Sequence, residues 1–99
     1  MIHKKINNIV MLGAGNVATH MAAALHHKGF CIKQVFSRTS LSANELAKKV
    51  DADFCTDLNA VVKDADLYII SLSDDASENI LQHFDAGNAI LVHTSGTLP

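Results

Sequence analysis

The chain has 99 residues, with eight basic and ten acidic side chains and a formal net charge of −2. Its hydrophobic fraction of 48% is enough for one small globular domain. Nucleic-acid binding has no electrostatic support, because the sequence has no basic stripe and its aromatic residues are scattered. No apolar run is long enough to span a membrane, and the N-terminus lacks the apolar region of a signal peptide, so we expect a cytoplasmic protein.

Apolar runs of strand length alternate with segments of helical periodicity, a pattern typical of a parallel sheet covered by helices. We predict five strands, at about 8–12, 31–37, 53–55, 67–72 and 89–93. Helices are predicted between them, at about 16–28, 43–50, 58–62 and 76–84. Gly29 is expected to end the first helix, and Asp57 and Asp75 are expected to cap the third and the fourth.

The start of the second helix carries a specific local signal. Ser42 and Glu45 have the spacing of a capping box, and Leu41 and Leu46 have the spacing of a hydrophobic staple. These residues predict that Ser42 caps a helix ending at about Val50.

Alternating strands and helices connected by right-handed crossovers predict the strand order 3-2-1-4-5. We therefore expect an α/β fold, a doubly wound parallel sheet of the Rossmann type with about five strands. The order reverses between the first and the fourth strand, so a ligand is expected over their carboxyl ends.

The clearest motif is a G-x-G-x-x-A turn between the first strand and the first helix, formed by Gly13, Ala14, Gly15, Asn16, Val17 and Ala18. Gly13 would permit the bend, Gly15 the approach of a phosphate, and Ala18 close packing of the helix on the strand. The N–H groups of residues 16–18 would lie at the positive end of the helix dipole. The turn predicts a dinucleotide pyrophosphate site; the alternative is a glycine turn that serves only as a tight connection.

The second motif is Ser37-Arg38-Thr39 at the end of the second predicted strand. Domains that prefer NAD commonly place an acidic residue here to hold the ribose 2′-hydroxyl. This chain has Arg38 instead, 20 residues beyond Ala18. A guanidinium flanked by two hydroxyls suits a phosphate, so the motif predicts NADP as cofactor. The alternative is a solvated surface arginine.

Two further loops follow the fourth and the fifth strand. Ser71, Leu72 and Ser73 are expected near the nicotinamide ribose and the pyrophosphate. The alternative is that the loop only starts a helix, since Asp74 and Asp75 are also good helix caps. The other loop contains His93, Thr94, Ser95 and Gly96, a polar patch that would face the nicotinamide. We expect Thr94 to contact the cofactor. General-acid chemistry by His93 is an alternative to a strand-end histidine without a chemical role.

Metal binding and disulfide formation are not indicated. The six histidines are dispersed and do not complete a zinc pattern. Cys31 and Cys55 fall on predicted strands, so we expect buried, reduced thiols.

Together, the glycine turn and the segments Ser37-Arg38-Thr39, 71–75 and 93–96 resemble a Rossmann-like family of NADP-dependent oxidoreductases. This family is related to pyrroline-5-carboxylate reductases, F420-dependent NADP oxidoreductases and β-hydroxyacid dehydrogenases. The resemblance implies that the turn binds the pyrophosphate, that Arg38 and its neighbours bind the 2′-phosphate, and that the loops at Ser71 and Thr94 lie near the nicotinamide.

Members of that family continue into a helical C-terminal domain, which completes the substrate site and usually forms a homodimer. The resemblance therefore implies that residues 1–99 are the N-terminal cofactor domain of a longer protein. The sequence ends at Pro99 without a helix after the fifth predicted strand, which leads to the same expectation. By itself the 99-residue chain is expected to be inactive.

Three functions remain open at this point. The first is the NADP(H)-binding domain of an oxidoreductase that transfers hydride to or from a small carbonyl, imine or hydroxyacid. The second is a non-catalytic module that senses nicotinamide nucleotides, and the third is a domain for another ligand such as S-adenosylmethionine. The sequence identifies neither the substrate nor the catalytic residues.

Overall fold

The computed structural model describes residues 7–72, 80, 82, 84, 87 and 89–94. In this part of the chain, five parallel strands form one sheet: β1 (Asn8–Leu12), β2 (Cys31–Phe36), β3 (Asp53–Cys55), β4 (Leu67–Ile70) and β5 (Ile90–His93). Their order is β3-β2-β1-β4-β5, which confirms the predicted Rossmann-type fold. The first and third strands have the predicted bounds, and the others end or begin one or two residues inside theirs.

One face of the sheet is covered by two helices, α1 (Asn16–His27) and α2 (Ser40–Val50). Ala18 and Ala22 are fully buried, since their small side chains allow α1 to lie close to the strands. Met21 and Leu25 pack on the same core cluster, as their spacing predicts. The helix ends at His27 with Lys28 as its C-cap, and Gly29 follows with a φ of +100°, a left-handed conformation that glycine adopts readily.

The predicted start of α2 was wrong. The helix begins at Ser40 with Thr39 as its N-cap, so Ser42 and Glu45 lie inside it. Leu41 is 69% exposed and makes no hydrophobic staple with the buried Leu46. The earlier start adds helical hydrogen bonds and keeps the buried face unchanged, because that face is set by four residues at helical spacing: Ala43, Leu46, Ala47 and Val50.

The connection from β3 to β4 is a short 3₁₀ turn (Leu58–Ala60) rather than the predicted helix at 58–62. Its predicted cap is confirmed, because the carboxylate of Asp57 accepts a hydrogen bond from the N–H of Asn59 at 2.9 Å. Val61 and Val62 lie beyond the turn, and the side chain of Val61 is buried.

Two buried polar side chains hold this connection against the second face of the sheet. The amide of Gln34 donates to the carbonyl of Ala60 and accepts from the N–H of Val62, at 3.1 and 2.9 Å. The hydroxyl of Tyr68 donates to the carbonyl of Val62 at 2.6 Å and accepts from the N–H of Ala65 at 3.3 Å. These bonds satisfy backbone groups that a helix would otherwise have paired.

The core therefore consists of two clusters, one on each face of the sheet. Ile80 and Phe84 belong to the second cluster, and the ring of Phe84 meets that of Tyr68 edge-on with centroids 5.0 Å apart. Most of the predicted fourth helix, including its proposed cap Asp75, lies outside the described residues. In the described part of the chain, no helix has the length and apolar character required to cross a membrane.

The expected burial of both cysteines was partly wrong. Cys31 is exposed, because it is the first residue of β2 and lies where the sheet begins, beside Asn8. Cys55 is half-buried at the end of β3, and both thiols are free.

Candidate functional site

A row of four backbone hydrogen bonds crosses the carboxyl edge of the sheet. In each of them, the residue that follows one strand donates its N–H to the last carbonyl of the neighbouring strand. The four pairs are Ser37 to Cys55 (3.2 Å), Gly13 to Phe36 (2.7 Å), Ser71 to Leu12 (2.9 Å) and Thr94 to Ile70 (2.8 Å). We refer to this row as the carboxyl-end belt. It brings four of the predicted site residues to one edge, and it occupies their N–H groups.

The backbone conformation and packing of the chain require a glycine at position 13. Its φ of +131° is a conformation that L side chains rarely adopt, and a Cβ atom there would overlap the carbonyl oxygen of Ser71. That Cβ would also lie 2.9 Å from the carbonyl carbon of Ser71. The absent side chain therefore allows the glycine turn to contact the end of β4, in addition to the bend that the sequence predicted.

No comparable contact or backbone conformation within the protein requires a glycine at position 15. Its φ of −79° suits any residue, and a Cβ atom there would meet nothing within 4 Å. The residue is exposed and forms the N-cap of α1. Open space at this glycine leaves the backbone accessible to an outside group.

The N-terminus of α1 has no side-chain cap and faces this open space. No side chain caps it, and its first turn contains no acidic residue. The N–H of Thr19 makes the first bond to Gly15, at 2.8 Å. The N–H groups of Asn16, Val17 and Ala18 precede that bond and are those that a helix leaves for an external acceptor.

The end of β2 presents a second polar group. Ser37 is only 8% exposed, and its hydroxyl oxygen accepts from the N–H of Thr39 at 3.4 Å. Arg38 and Thr39 are exposed, and Thr39 makes no side-chain cap bond to α2. Arg38 is the sole arginine of the sequence. Within the described ranges its guanidinium has no carboxylate partner, since the ion pair found there joins Lys33 to Asp64.

The loops after β4 and β5 are described only in part. Ser71 and Leu72 are half-buried, and His93 is exposed. Thr94 is half-buried, and its hydroxyl donates to the carbonyl of Ile70 at 3.1 Å. The sequence contained no signal for this long-range bond. The bond uses the hydroxyl proton of Thr94, which was expected to contact the cofactor. The predicted residues Ser73, Asp74, Asp75, Ser95 and Gly96 lie outside the described residues.

One thiol lies on the same edge. The carbonyl of Cys55 accepts the first bond of the carboxyl-end belt. Burial raises the pKa of its thiol, and the charge of Asp57 acts in the same direction. The thiol of Cys55 therefore ionises less readily than an unperturbed cysteine, which disfavours a role as a nucleophile.

The fold, the strand order and the open glycine turn define a Rossmann domain of the dinucleotide-binding type. Residues 2–92 match the family model of shikimate / quinate 5-dehydrogenase, and the chain belongs to this family. The predicted resemblance to Rossmann-like oxidoreductases is thereby confirmed. Comparison with curated proteins finds no match.

Solved structures give the same fold. A Bacteroides fragilis protein named as an NADP oxidoreductase is 49% identical with a TM-score of 0.85, over 95% of this chain and 38% of that one. An imine reductase from Myxococcus stipitatus, in complex with NADP+, is 22% identical with a TM-score of 0.73, over 89% of this chain and 32% of that one.

Prephenate dehydrogenase from A. aeolicus, in complex with hydroxyphenyl propionate and NAD+, is 18% identical with a TM-score of 0.78, over 93% of this chain and 34% of that one. The chain thus spans 38% of the length of the Bacteroides fragilis protein and about a third of the other two.

Proposed function

We propose that the chain is the NADP(H)-binding domain of an oxidoreductase that transfers hydride to or from a small carbonyl, imine or hydroxyacid. One observation carries the proposal. The turn that contains the open Gly15 is joined to the end of β2 by the 2.7 Å hydrogen bond from Gly13 to Phe36. Arg38, the only arginine of the sequence, follows β2. The turn proposed for one phosphate and the arginine proposed for the other therefore follow neighbouring strands.

The glycine turn would hold the pyrophosphate. Gly15 leaves room for a phosphate at the backbone, and the N–H groups of residues 16–18 are the donors it would meet. No carboxylate in the first turn of α1 competes for the positive end of the helix dipole. Ala14 would support the turn by packing on the first core cluster.

Arg38 and Thr39 would hold the 2′-phosphate that distinguishes NADP from NAD. Arg38 is exposed and can clamp a phosphate with two parallel charge-assisted hydrogen bonds. The hydroxyl of Thr39 makes no cap bond to α2, so it can donate to the same group. Ser37 is buried and would shape the loop through its bond to the N–H of Thr39 rather than by direct contact with the phosphate.

The loops after β4 and β5 would flank the nicotinamide end, with Ser71, Leu72 and Ser73 on one side and Thr94 on the other. Because the N–H groups of Ser71 and Thr94 belong to the carboxyl-end belt, the serine would act through its hydroxyl. When bound, the cofactor supplies the hydride; the residues of this chain bind and orient it.

The substrate site is proposed to lie in a further domain. The chain covers 38% of the Bacteroides fragilis protein, and we propose that a helical C-terminal domain supplies the catalytic residues and forms a homodimer. That protein is named as an NADP oxidoreductase, which supports both the cofactor and the reaction class.

Titration of the purified 99-residue chain with NADPH, NADH and S-adenosylmethionine tests this proposal. NADPH should bind, and should bind more tightly than NADH, with S-adenosylmethionine showing no binding. Equal affinity for NADPH and NADH would overturn the NADP assignment. Binding of S-adenosylmethionine alone would overturn the oxidoreductase assignment, which fold likeness by itself does not secure.

A further inference from the structure

The carbonyl of Ile70 accepts two hydrogen bonds, and both come from Thr94. The N–H of Thr94 donates at 2.8 Å and its hydroxyl at 3.1 Å. A carbonyl oxygen has two lone pairs, so both bonds can form together. Pairing of β4 with β5 needs the N–H alone, and the hydroxyl bond is additional.

The peptide group between Ile70 and Ser71 is also held by a hydrogen bond on the side of β1. The N–H of Ser71, which shares a peptide plane with the carbonyl of Ile70, donates to the carbonyl of Leu12 at 2.9 Å. Three hydrogen bonds thus fix one peptide plane between the ends of β5 and β1. Bonds arranged in a chain through one peptide group also polarise one another, which strengthens each of them.

The next peptide group along the chain, which begins with the carbonyl of Ser71, packs against the glycine turn. The carbonyl of Ser71 lies so close to Gly13 that no Cβ atom fits between them. A rotation of the Ile70–Ser71 peptide would therefore move Ser71 relative to Gly13, and would redirect the loop that continues through Leu72.

We propose that Thr94 is a positioning residue: its hydroxyl locks the Ile70–Ser71 peptide and thereby the nicotinamide side of the cofactor site. This inference rests on the proposed function and revises the expectation that Thr94 contacts the cofactor directly. The hydroxyl proton is already donated to Ile70, and Arg38 follows β2, which lies on the far side of β1 from β5. The adenine half of the cofactor should therefore be insensitive to Thr94.

The test compares Thr94→Val, which keeps the shape and removes the hydroxyl, with Thr94→Ser, which keeps the hydroxyl. Thr56→Val is the matched control, because Thr56 also directly follows a strand. Thr56 is exposed, and its hydroxyl has no hydrogen-bond partner among the described residues. Two quantities are measured: amide hydrogen exchange at Ser71 without ligand, and affinity for NADPH and for adenosine 2′,5′-bisphosphate, which lacks the nicotinamide.

Loss of one net hydrogen bond corresponds to a change of roughly threefold to tenfold. We expect Thr94→Val to accelerate exchange at Ser71 and to weaken NADPH binding by about that factor, with adenosine 2′,5′-bisphosphate unaffected. Thr94→Ser should restore both, and Thr56→Val should change neither.

Unchanged exchange at Ser71 in Thr94→Val would overturn the proposal, and so would equal losses for the two ligands. If the wild-type chain binds no nicotinamide nucleotide, the proposed function fails, whereas exchange at Ser71 still decides whether Thr94 holds the peptide.

Discussion

The N–H of Gly13 donates to the carbonyl of Phe36 at 2.7 Å, which joins the glycine turn to the end of β2. Arg38 follows Phe36 by two residues, and α1 begins three residues after Gly13, with Gly15 as its N-cap. The strand ends that precede the groups proposed for the pyrophosphate and for the 2′-phosphate are therefore joined by a backbone hydrogen bond.

The two glycines of the turn should respond differently to alanine. Gly13→Ala forces a Cβ atom into the carbonyl of Ser71 at a φ of +131°, so we expect a loss of about 3 kcal/mol or more in the free energy of unfolding. For a domain of this size the melting temperature should fall by about 10 °C or more. Thermal unfolding followed by circular dichroism measures the change.

Gly15→Ala should leave stability within about 1 kcal/mol of wild type, because its φ of −79° and its open surroundings accept a Cβ atom. It should nevertheless weaken NADPH binding by about tenfold or more, since the new methyl group occupies the space where the phosphate approaches. Calorimetric titration of the folded variant measures this, and wild-type affinity would show that Gly15 does not face the cofactor.

Tyr68 is the only tyrosine, so tyrosinate absorbance reports on it alone. Burial raises the pKa of Tyr68, and the nearby Asp64 charge adds to the effect. In the folded chain its titration midpoint should lie above the usual value of about 10, and in denaturant it should return to that value. A folded midpoint at or below the denatured one would contradict the buried hydroxyl.

The same shift predicts how stability depends on pH. The folded chain keeps a proton that the unfolded chain loses, so this contribution is complete below a pH of about 10 and is lost as the pH rises through the folded pKa. Tyr68→Phe should remove that alkaline contribution. Near neutral pH it should cost about 1–2 kcal/mol, because the carbonyl of Val62 and the N–H of Ala65 lose their partners.

The two thiols should react at different rates. Cys31 is exposed, whereas Cys55 is half-buried and has a raised pKa, so a maleimide near neutral pH should modify Cys31 about tenfold faster or more. Mass spectrometry of the single variants Cys31→Ser and Cys55→Ser assigns each rate. Equal rates in the folded chain would be inconsistent with the position of Cys55, and equal rates in denaturant are expected.

Much of the architecture could be predicted because its signals are local. Alternating apolar runs located the five strands, and crossover handedness ordered them. The start of α2 could not be located in this way, because Thr39 and Ser42 are both suitable N-cap residues and local spacing does not choose between them. Exposure of Cys31 was missed because strand periodicity does not show that this residue, the first of β2, lies where the sheet begins.

The candidate site was predictable in its residues and less so in their roles. Spacing pointed to Gly13, Ser37, Ser71 and Thr94, and all four lie on the carboxyl-end belt. That Gly13 fits against Ser71, and that Thr94 bonds to Ile70, depends on contacts between strands distant in sequence. Such contacts leave no periodic or spacing pattern in a single sequence.

The ratio of the NADH and NADPH dissociation constants, measured for wild type and Arg38→Ala, tests the central claim most directly. Wild type should bind NADPH about tenfold more tightly or better, and Arg38→Ala should lose most of this preference with NADH affinity unchanged. Lys48→Ala, which removes a cation from the exposed last turn of α2, should retain it. An Arg38→Ala chain that still prefers NADPH as strongly as wild type would contradict the account.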